Sequence, residues 1–294
     1  MEGTPFVSVI IPTYHDWGRL KLCLNALAQQ SYPKDRFEVL VVNNDPEDQP
    51  TYVVASENVR LLEEAKPGSY AARNAAIRVA KGEVFAFTDS DCIPDQDWLK
   101  HGVSAIQSGA ERVGGAVVLF SDGPDFNNFP TAFQRCTAFR QARNVANGWA
   151  VTANMIAHRN CFDEVGLFDQ EMLSGGDQDW GRRAEQQKLS IYFSNTAIIN
   201  HPVRASWTQL LTKQKRVIGG SIRLNRKKSK MALAIFFARQ MMPPFNAWKM
   251  IVLENKQVAL SAKLKAMTVA SVLKLYSGML VSLSIFGVNN ESRI

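Results

Sequence analysis

Two aspartates one residue apart, Asp89 and Asp91, close the apolar run Val84, Phe85, Ala86, Phe87 in the stretch FAFTDSDCIPDQDWL. Like charges at the end of a buried strand repel each other, a cost that a cation held between them would offset. Hard divalent cations such as Mg2+ or Mn2+ prefer oxygen ligands and commonly use one or two carboxylates together with substrate phosphates. A D-x-D placed there suits a metal that bridges protein and diphosphate. The plainer alternative is a turn, with Asp89 forming an Asx-turn and Asp91 capping a helix-like segment that follows at Pro94 and Asp95.

A second acidic pair, Asp177 and Asp179, opens a helix in LSGGDQDWGRR, behind two glycines and with Trp180 on the apolar side. A carboxylate in a glycine-lined pocket suits a general base that takes a proton from an attacking hydroxyl. Ser174-x-x-Asp177 equally resembles a capping box, in which the acid satisfies a backbone N–H at the helix start. Asp177 can fill both roles. No Ser/His/Asp set suggests a covalent nucleophile.

These carboxylates need elements to hold them. Val7–Ile11, Phe37–Val42 and Val84–Phe87 are dense in Val, Ile and Phe, as strands buried on both faces are. Helix-period segments alternate with them, one marked by Leu20, Leu24 and Leu27, another by Ala71, Ala75, Ile77 and Val79 and ended by Gly82. Alternation of this kind predicts right-handed βαβ units and a mainly parallel sheet, with ligands beyond the carboxyl ends of the strands. Thr13 and Tyr14, Asn43 to Asp45, and Asp89 and Asp91 all fall at such ends. Further on, 112–120, 149–158 and 191–200 read as strands, and 131–147 and 177–187 as helices. After His201 the chain turns helical, basic and apolar, broken at Pro243–Pro244.

At 294 residues, 46% hydrophobic and 21% charged, the chain is long enough for one large α/β domain with an appendage. Its four cysteines have no C-x-x-C spacing, which argues against structural zinc and for a reducing compartment. A strand pattern begins at Phe6 without a basic, apolar leader, so no secretory signal is expected. The net charge of +7 is unevenly spread. Residues 204–294 hold sixteen Lys/Arg against Glu254 and Glu291, leaving the first 203 residues net acidic.

Five pieces, VSVIIPTYH, VLVVNNDPED, KPGSYAARNAAIRVAKGEVFAFTDSDCIPDQDWL, VTANMIAHRNCFDEVGLFD and SGGDQDWGRR, stand in an order that resembles the inverting nucleotide-sugar glycosyltransferases of family 2. The resemblance covers roughly residues 5–205. It implies a GT-A fold over 1–205: a Rossmann-like, mainly parallel sheet flanked by helices. Residues up to about 110 would bind the nucleotide-sugar, and 111–205 would form the acceptor and catalytic half. Residues 206–294 would be a helical extension.

The resemblance also assigns roles. Pro12, Thr13 and Tyr14 would hold the nucleotide base. Asn43 and Asn44 stand where relatives carry Asp-Asp or Asp-Asn against the base, which leaves a UDP-, GDP- or dTDP-linked donor open, because amide and carboxylate read a base edge differently. Arg73 or Asn74 would lie near the diphosphate or ribose; a solvent-facing Arg73 is the alternative. Asp91 would be the principal ligand of Mg2+ or Mn2+, Asp89 would reach ribose or metal, and His201 in NHPVR would complete the metal site. Asp177 falls on the catalytic aspartate, with Gly176 in place of the usual glutamate. Arg183 would orient acidic groups or form a surface pair. Trp149, Asn154 and Asp179 would lie on the acceptor side, Trp149 alternatively in the core. The implied reaction is a single displacement at the anomeric carbon, onto a hydroxyl of a glycan or lipid-linked acceptor.

A metal-dependent nucleotidyltransferase would also use strand-end aspartates, yet PTYHDWGRL lacks the glycine-rich, Lys/Arg-bearing loop it needs. A catalytically inactive binding module would tolerate loss of Asp91 and Asp177, and both are present. No G-x-G-x-x-G follows the first strand, which argues against a dinucleotide-dependent oxidoreductase. In the basic tail, the uncharged run Leu275–Val288 is shorter than the roughly twenty residues that span a bilayer. An interfacial helix on an anionic membrane fits it, giving a cytoplasmic protein peripheral at the inner face. A packed appendage or a homo-oligomer interface is the alternative. Nucleic acid is not expected, since the basic residues lack interleaved aromatics.

Overall fold

The computed structural model of the chain describes residues 3–52, 57–121, 123 and 126–285. In chain order the first elements are β1 (Val7–Thr13), α1 (Trp17–Ala28), β2 (Phe37–Asn43), β3 (Val59–Glu63), α2 (Ser69–Val79), β4 (Val84–Phe87), β5 (Ile93–Pro94) and α3 (Trp98–Gln107). Then come β6 (Arg112–Phe120), α4 (Phe129–Thr137), α5 (Gln141–Ala146), β7 (Met155–His158), α6 (Arg159–Val165), α7 (Gly176–Gln186) and β8 (Ile191–Pro202). The chain closes with α8 (Trp207–Lys228), α9 (Lys230–Met241), α10 (Phe245–Glu254) and α11 (Leu260–Ile285). Two compact units result, one of residues 1–120 and 139–202, the other of 121–138 and 203–294.

The first unit holds one eight-stranded sheet in the order β3-β2-β1-β4-β7-β6-β8-β5. Strands β3, β2, β1 and β4 are parallel, while β7 runs antiparallel to both β4 and β6. The mainly parallel sheet expected from the sequence is thus present, with antiparallel pairs at β7 and β5 that the sequence did not announce. Strands β1, β2 and β4 are mostly apolar because each face packs its own core. Val7, Val9, Ile11, Val39, Val41 and Ala86 join Leu20, Leu27 and Trp98 on one side. Ile10, Leu40, Val42, Phe85 and Phe87 join Phe162, Phe168 and Trp180 on the other. The strict alternation of the two sets along each strand fixes the register, since a one-residue slip would exchange the faces.

Three expectations are corrected. The expected helix 131–147 is two helices, separated at Phe139, whose φ of +46° no α-helix accommodates. The expected strand 149–158 is strand only from Met155. Ahead of it the Gln141 amide accepts from Val151 N and donates to Asn154 O, replacing ladder bonds with side-chain ones. The helix-like segment expected at Pro94 begins instead at Trp98; Ile93 and Pro94 pair antiparallel with β8.

In the second unit α11 is central. Its inner face packs with Cys136 and Ile251, with Leu210, and with Ile218. The Gln214 side chain donates to Ser277 Oγ at 2.6 Å, and Asn255 Nδ2 to Cys136 O at 3.2 Å. Residues 121–138, which sequence reading grouped with the first 205, sit among these helices. The break at Pro243–Pro244 separates α9 from α10 as expected.

Candidate active site

Strands β1, β2 and β4 end together, and their carboxyl ends deliver Thr13, Asn43 and, one residue past Thr88, Asp89. Beyond β4 the chain turns, Cys92 N donating to Asp89 O at 3.1 Å. The turn is real, but it does not use the carboxylates. Asp89 instead accepts from Arg73 Nη2, and Asp91 faces His201 Nε2 at 3.6 Å and Arg19 Nη1 at 3.9 Å. One donor atom each from Asp89, Asp91, Cys92 and His201 falls within 4.8 Å of the others.

The chemistry of this set fits a hard divalent cation. His201 Nδ1 lies 2.7 Å from Pro202 O, which can only accept, so Nδ1 carries a proton and Nε2 is the ring nitrogen turned to Asp91. In the neutral ring Nε2 holds a lone pair, and a cation shared with the carboxylate would satisfy both. The Cys92 thiol is pushed well above its ordinary value, by burial first and by the Asp89 and Asp91 charges second. Oxygen and imidazole are therefore the fitting donors.

Arg73 is 2% exposed, which removes the solvent-facing alternative. From α2 it reaches Asp89, with its guanidinium 5.6 Å from the Tyr70 ring centroid one turn away. Its Nε is buried without a partner, as are the hydroxyls of Thr13 and Thr88 at the ends of β1 and β4. Buried polar atoms left unpaired carry a substantial cost, and such orphans at strand ends suit a polar ligand.

Asp177 lies at the start of α7. The helix is N-capped by Gly175, at φ +80°, and no side chain caps it, so the Ser174-x-x-Asp177 capping box does not form. Asp177 Oδ1 accepts from Gln178 N at 2.9 Å and from Tyr70 Oη at 3.3 Å. Its pKa is raised, burial outweighing the backbone bond from Gln178 and the Arg73 charge. A Cβ at Gly176 would meet the Tyr70 ring at 2.7 Å, so no side chain fits at that position. The aromatic cluster fixes α7 from below: Trp180 stacks on Phe162 at 4.4 Å and donates to Gly166 O.

Other expected residues have different work. Asn44 Nδ2 donates to Glu64 O and Lys66 O, and its Oδ1 accepts from Gly68 N. Asn43 Nδ2 donates to Asp48 O, and its Oδ1 accepts from Asp45 N. These amides hold loops: both N–H groups of Asn44 are engaged, and Asn43 engages one. Asn154, 0% exposed, accepts from Trp98 Nε1 and donates to Ala116 O and Ala197 O, so its amide is a strut and not an acceptor-side contact. Asn74 holds Phe168 through both its amide atoms. Asp179 pairs with Arg183, which also donates to Val165 O and Leu167 O. Pro12 is buried in β1, Tyr14 is 54% exposed at its end, and Trp149 is half-buried against Gly181. Sequence reading missed Tyr70 and Arg19. Tyr70 lies three residues before Arg73, the helical spacing that puts both on one face.

The fold and this strand-end site define a GT-A glycosyltransferase, and comparison with known proteins agrees. The glycosyl transferase family 2 model matches residues 8–165, more than half of the chain, and the chain belongs to that family. Glycosyltransferase AglE of Haloferax volcanii is 38% identical over 235 residues, 75% of this chain and 74% of the relative. Among solved structures, the mannosyltransferase PcManGT from Pyrobaculum calidifontis, in complex with GDP-Man and Mn2+, has a TM-score of 0.60 at 17% identity, covering 98% of this chain and 89% of its own. Staphylococcus aureus TarS 1–349 in complex with UDP has a TM-score of 0.55 at 19% identity, with 98% and 94% covered. The protein is a glycosyltransferase that acts on nucleotide sugars.

Proposed function

We propose that the chain transfers a sugar, with inversion, from a nucleoside-diphosphate donor to a hydroxyl of a glycan or lipid-linked acceptor at the cytoplasmic face of a membrane. Asp91, Asp89 and His201 hold the Mg2+ or Mn2+ ion. When bound, the metal supplies positive charge against the diphosphate leaving group. Arg73 orients Asp89, and its buried Nε is a donor for a phosphate or ribose oxygen. Tyr14, exposed at the end of β1, offers a ring face to the base. Asp177 accepts the proton of the attacking acceptor hydroxyl at a carboxylate oxygen, and Trp149 borders the acceptor.

The observation that carries this reading is Asp177 itself. Its carboxylate is released from capping, is made more basic by burial, and feels the charge of the same Arg73 that binds Asp89. A general base works best with its pKa moved toward the operating pH. The test is Asp177→Asn, which keeps shape and the Gln178 contact. Turnover should fall roughly 10²–10⁴-fold, the usual contribution of a positioned proton acceptor, with donor affinity retained. Undiminished turnover of the folded variant would exclude Asp177 as the base, and retention of anomeric configuration in the product would exclude the single displacement.

A further inference from the structure

The second unit carries fifteen of the twenty exposed large apolar side chains among the described residues. On α11, Leu260, Leu264, Val272, Leu275 and Met279 form an exposed stripe at steps of three, four and eight residues, while Ala262, Ala266, Val269, Leu273 and Val281 pack inward. This helix is therefore apolar on both faces. The stripe is about 28 Å long by helical rise. Next to it in sequence, α10 exposes Phe245, Val252 and Leu253, with the exposed Lys249 among them and the exposed Glu254 and Lys256 directly after. On α9, Met231 and Ile235 lie between the exposed Lys230 and Arg239.

Apolar surface of this extent on a folded unit marks a docking face. Charge decides the occupant. Residues 204–294 hold sixteen cationic side chains and two carboxylates. A second copy of this surface would bring the same positive charge, so self-association through it is opposed by repulsion. Apolar rows edged with Lys and Arg match a layer whose outside is anionic and whose inside is hydrocarbon. Spanning is a poorer match: 44% of the most apolar window of α11 is already buried inside the protein.

We propose that the exposed faces of α9, α10 and α11 dock the protein in the plane of an anionic lipid bilayer, with the apolar rows in the acyl boundary and Lys249, Lys256 and Arg239 among the phosphates. This deepens the reading of a membrane-surface transferase, and it is tested apart from transfer. The full chain is cosedimented with vesicles of phosphatidylcholine alone or mixed with phosphatidylglycerol. Binding should require the anionic lipid and weaken with salt. Leu264→Glu/Leu275→Glu should weaken it about tenfold or more by placing charge in the acyl boundary. Lys249→Glu/Lys256→Glu should weaken it without touching the apolar rows. Both variants should keep the wild-type melting temperature and transfer to a soluble acceptor. Undiminished binding by both variants, or equal binding to neutral vesicles, would overturn the proposal. So would a dimer that Leu264→Glu/Leu275→Glu dissociates, in the absence of vesicle binding, and so would resistance to alkaline extraction, which means spanning. Absence of transfer with lipid binding intact would instead fail the catalytic reading alone.

Discussion

The sheet-bearing unit leaves five large apolar side chains exposed, Tyr14, Leu22, Val79, Val118 and Tyr192, whereas the shorter helical unit exposes fifteen. The polar groups are distributed in the opposite sense. The first unit buries Arg73, Arg112, Asn154 and His201 to within 3% exposure, and its Asp177 carries a desolvation cost. Among the described residues the second buries no cation fully and builds its core largely from Ala, Leu, Val and Ile. One unit spends stability to place charge in a dry site, as a catalyst must. The other spends it to present hydrocarbon to its surroundings, as a docking element must. Neither cost is explained by folding alone.

Four substitutions break or sharpen that contrast. Asp91→Asn should have the largest effect, on the order of 10²-fold or more in turnover, because a charged metal ligand becomes a neutral one without change of volume. Titration of donor with and without Mn2+ checks it: metal dependence of binding should vanish. Gly176→Ala comes next, with about 1–3 kcal/mol of lost stability by denaturant unfolding, since its Cβ would stand 2.7 Å from the Tyr70 ring.

Asp177→Asn should raise stability at neutral pH. The folded pKa of Asp177 is raised, so the native state binds that proton more tightly than the unfolded chain does. Stability therefore falls as pH climbs from the ordinary value of 3.8 through the folded value, and the loss persists above it. The neutral amide escapes this loss. Melting curves of the two proteins should diverge at neutral pH and converge in acid. The smallest effect belongs to Leu275→Ser on the exposed row of α11, within about 0.5 kcal/mol, because that residue is 69% exposed. A larger loss would mean that the row is packed and the contrast between the units is false.

Much of the site was legible because strand ends are legible. An apolar run that stops at carboxylates announces both the strand and its mouth, and Asp89 and Asp91 were read that way, whereas Asp177 was read from the glycines ahead of its helix and from the family resemblance. Polar residues whose partners are backbone atoms were not. Asn44 and Asn154 look like ligand-readers in sequence, and only the fold reveals that carbonyls from distant segments use up their amides. Strand β3, with Arg60 outward and half-buried neighbours, lacks the dense run that marked β1 and β2. The helix break at Phe139 has no Gly or Pro to signal it. The uncharged stretch Leu275–Val288 was visible, but residues 286–288 lie outside the described residues. Its continuation inward as a helix of 26 residues, with lysines, was not visible.

Strand β8 pairs Ser194 with Gly115 but Ile198 with Ala116, so Asn195, Thr196 and Ala197 are extra residues opposite a single step of β6. Asn154 closes the irregularity by donating to Ala116 O and Ala197 O. Side chains alternate faces along a strand. What aims His201 is its register opposite Leu119, because paired residues on adjacent strands share a face. A gain or loss of residues between Ser194 and Ile198 that keeps this pairing is absorbed in the irregularity and leaves His201 toward Asp91, whereas a slip of β8 by one residue against β6 would turn it away.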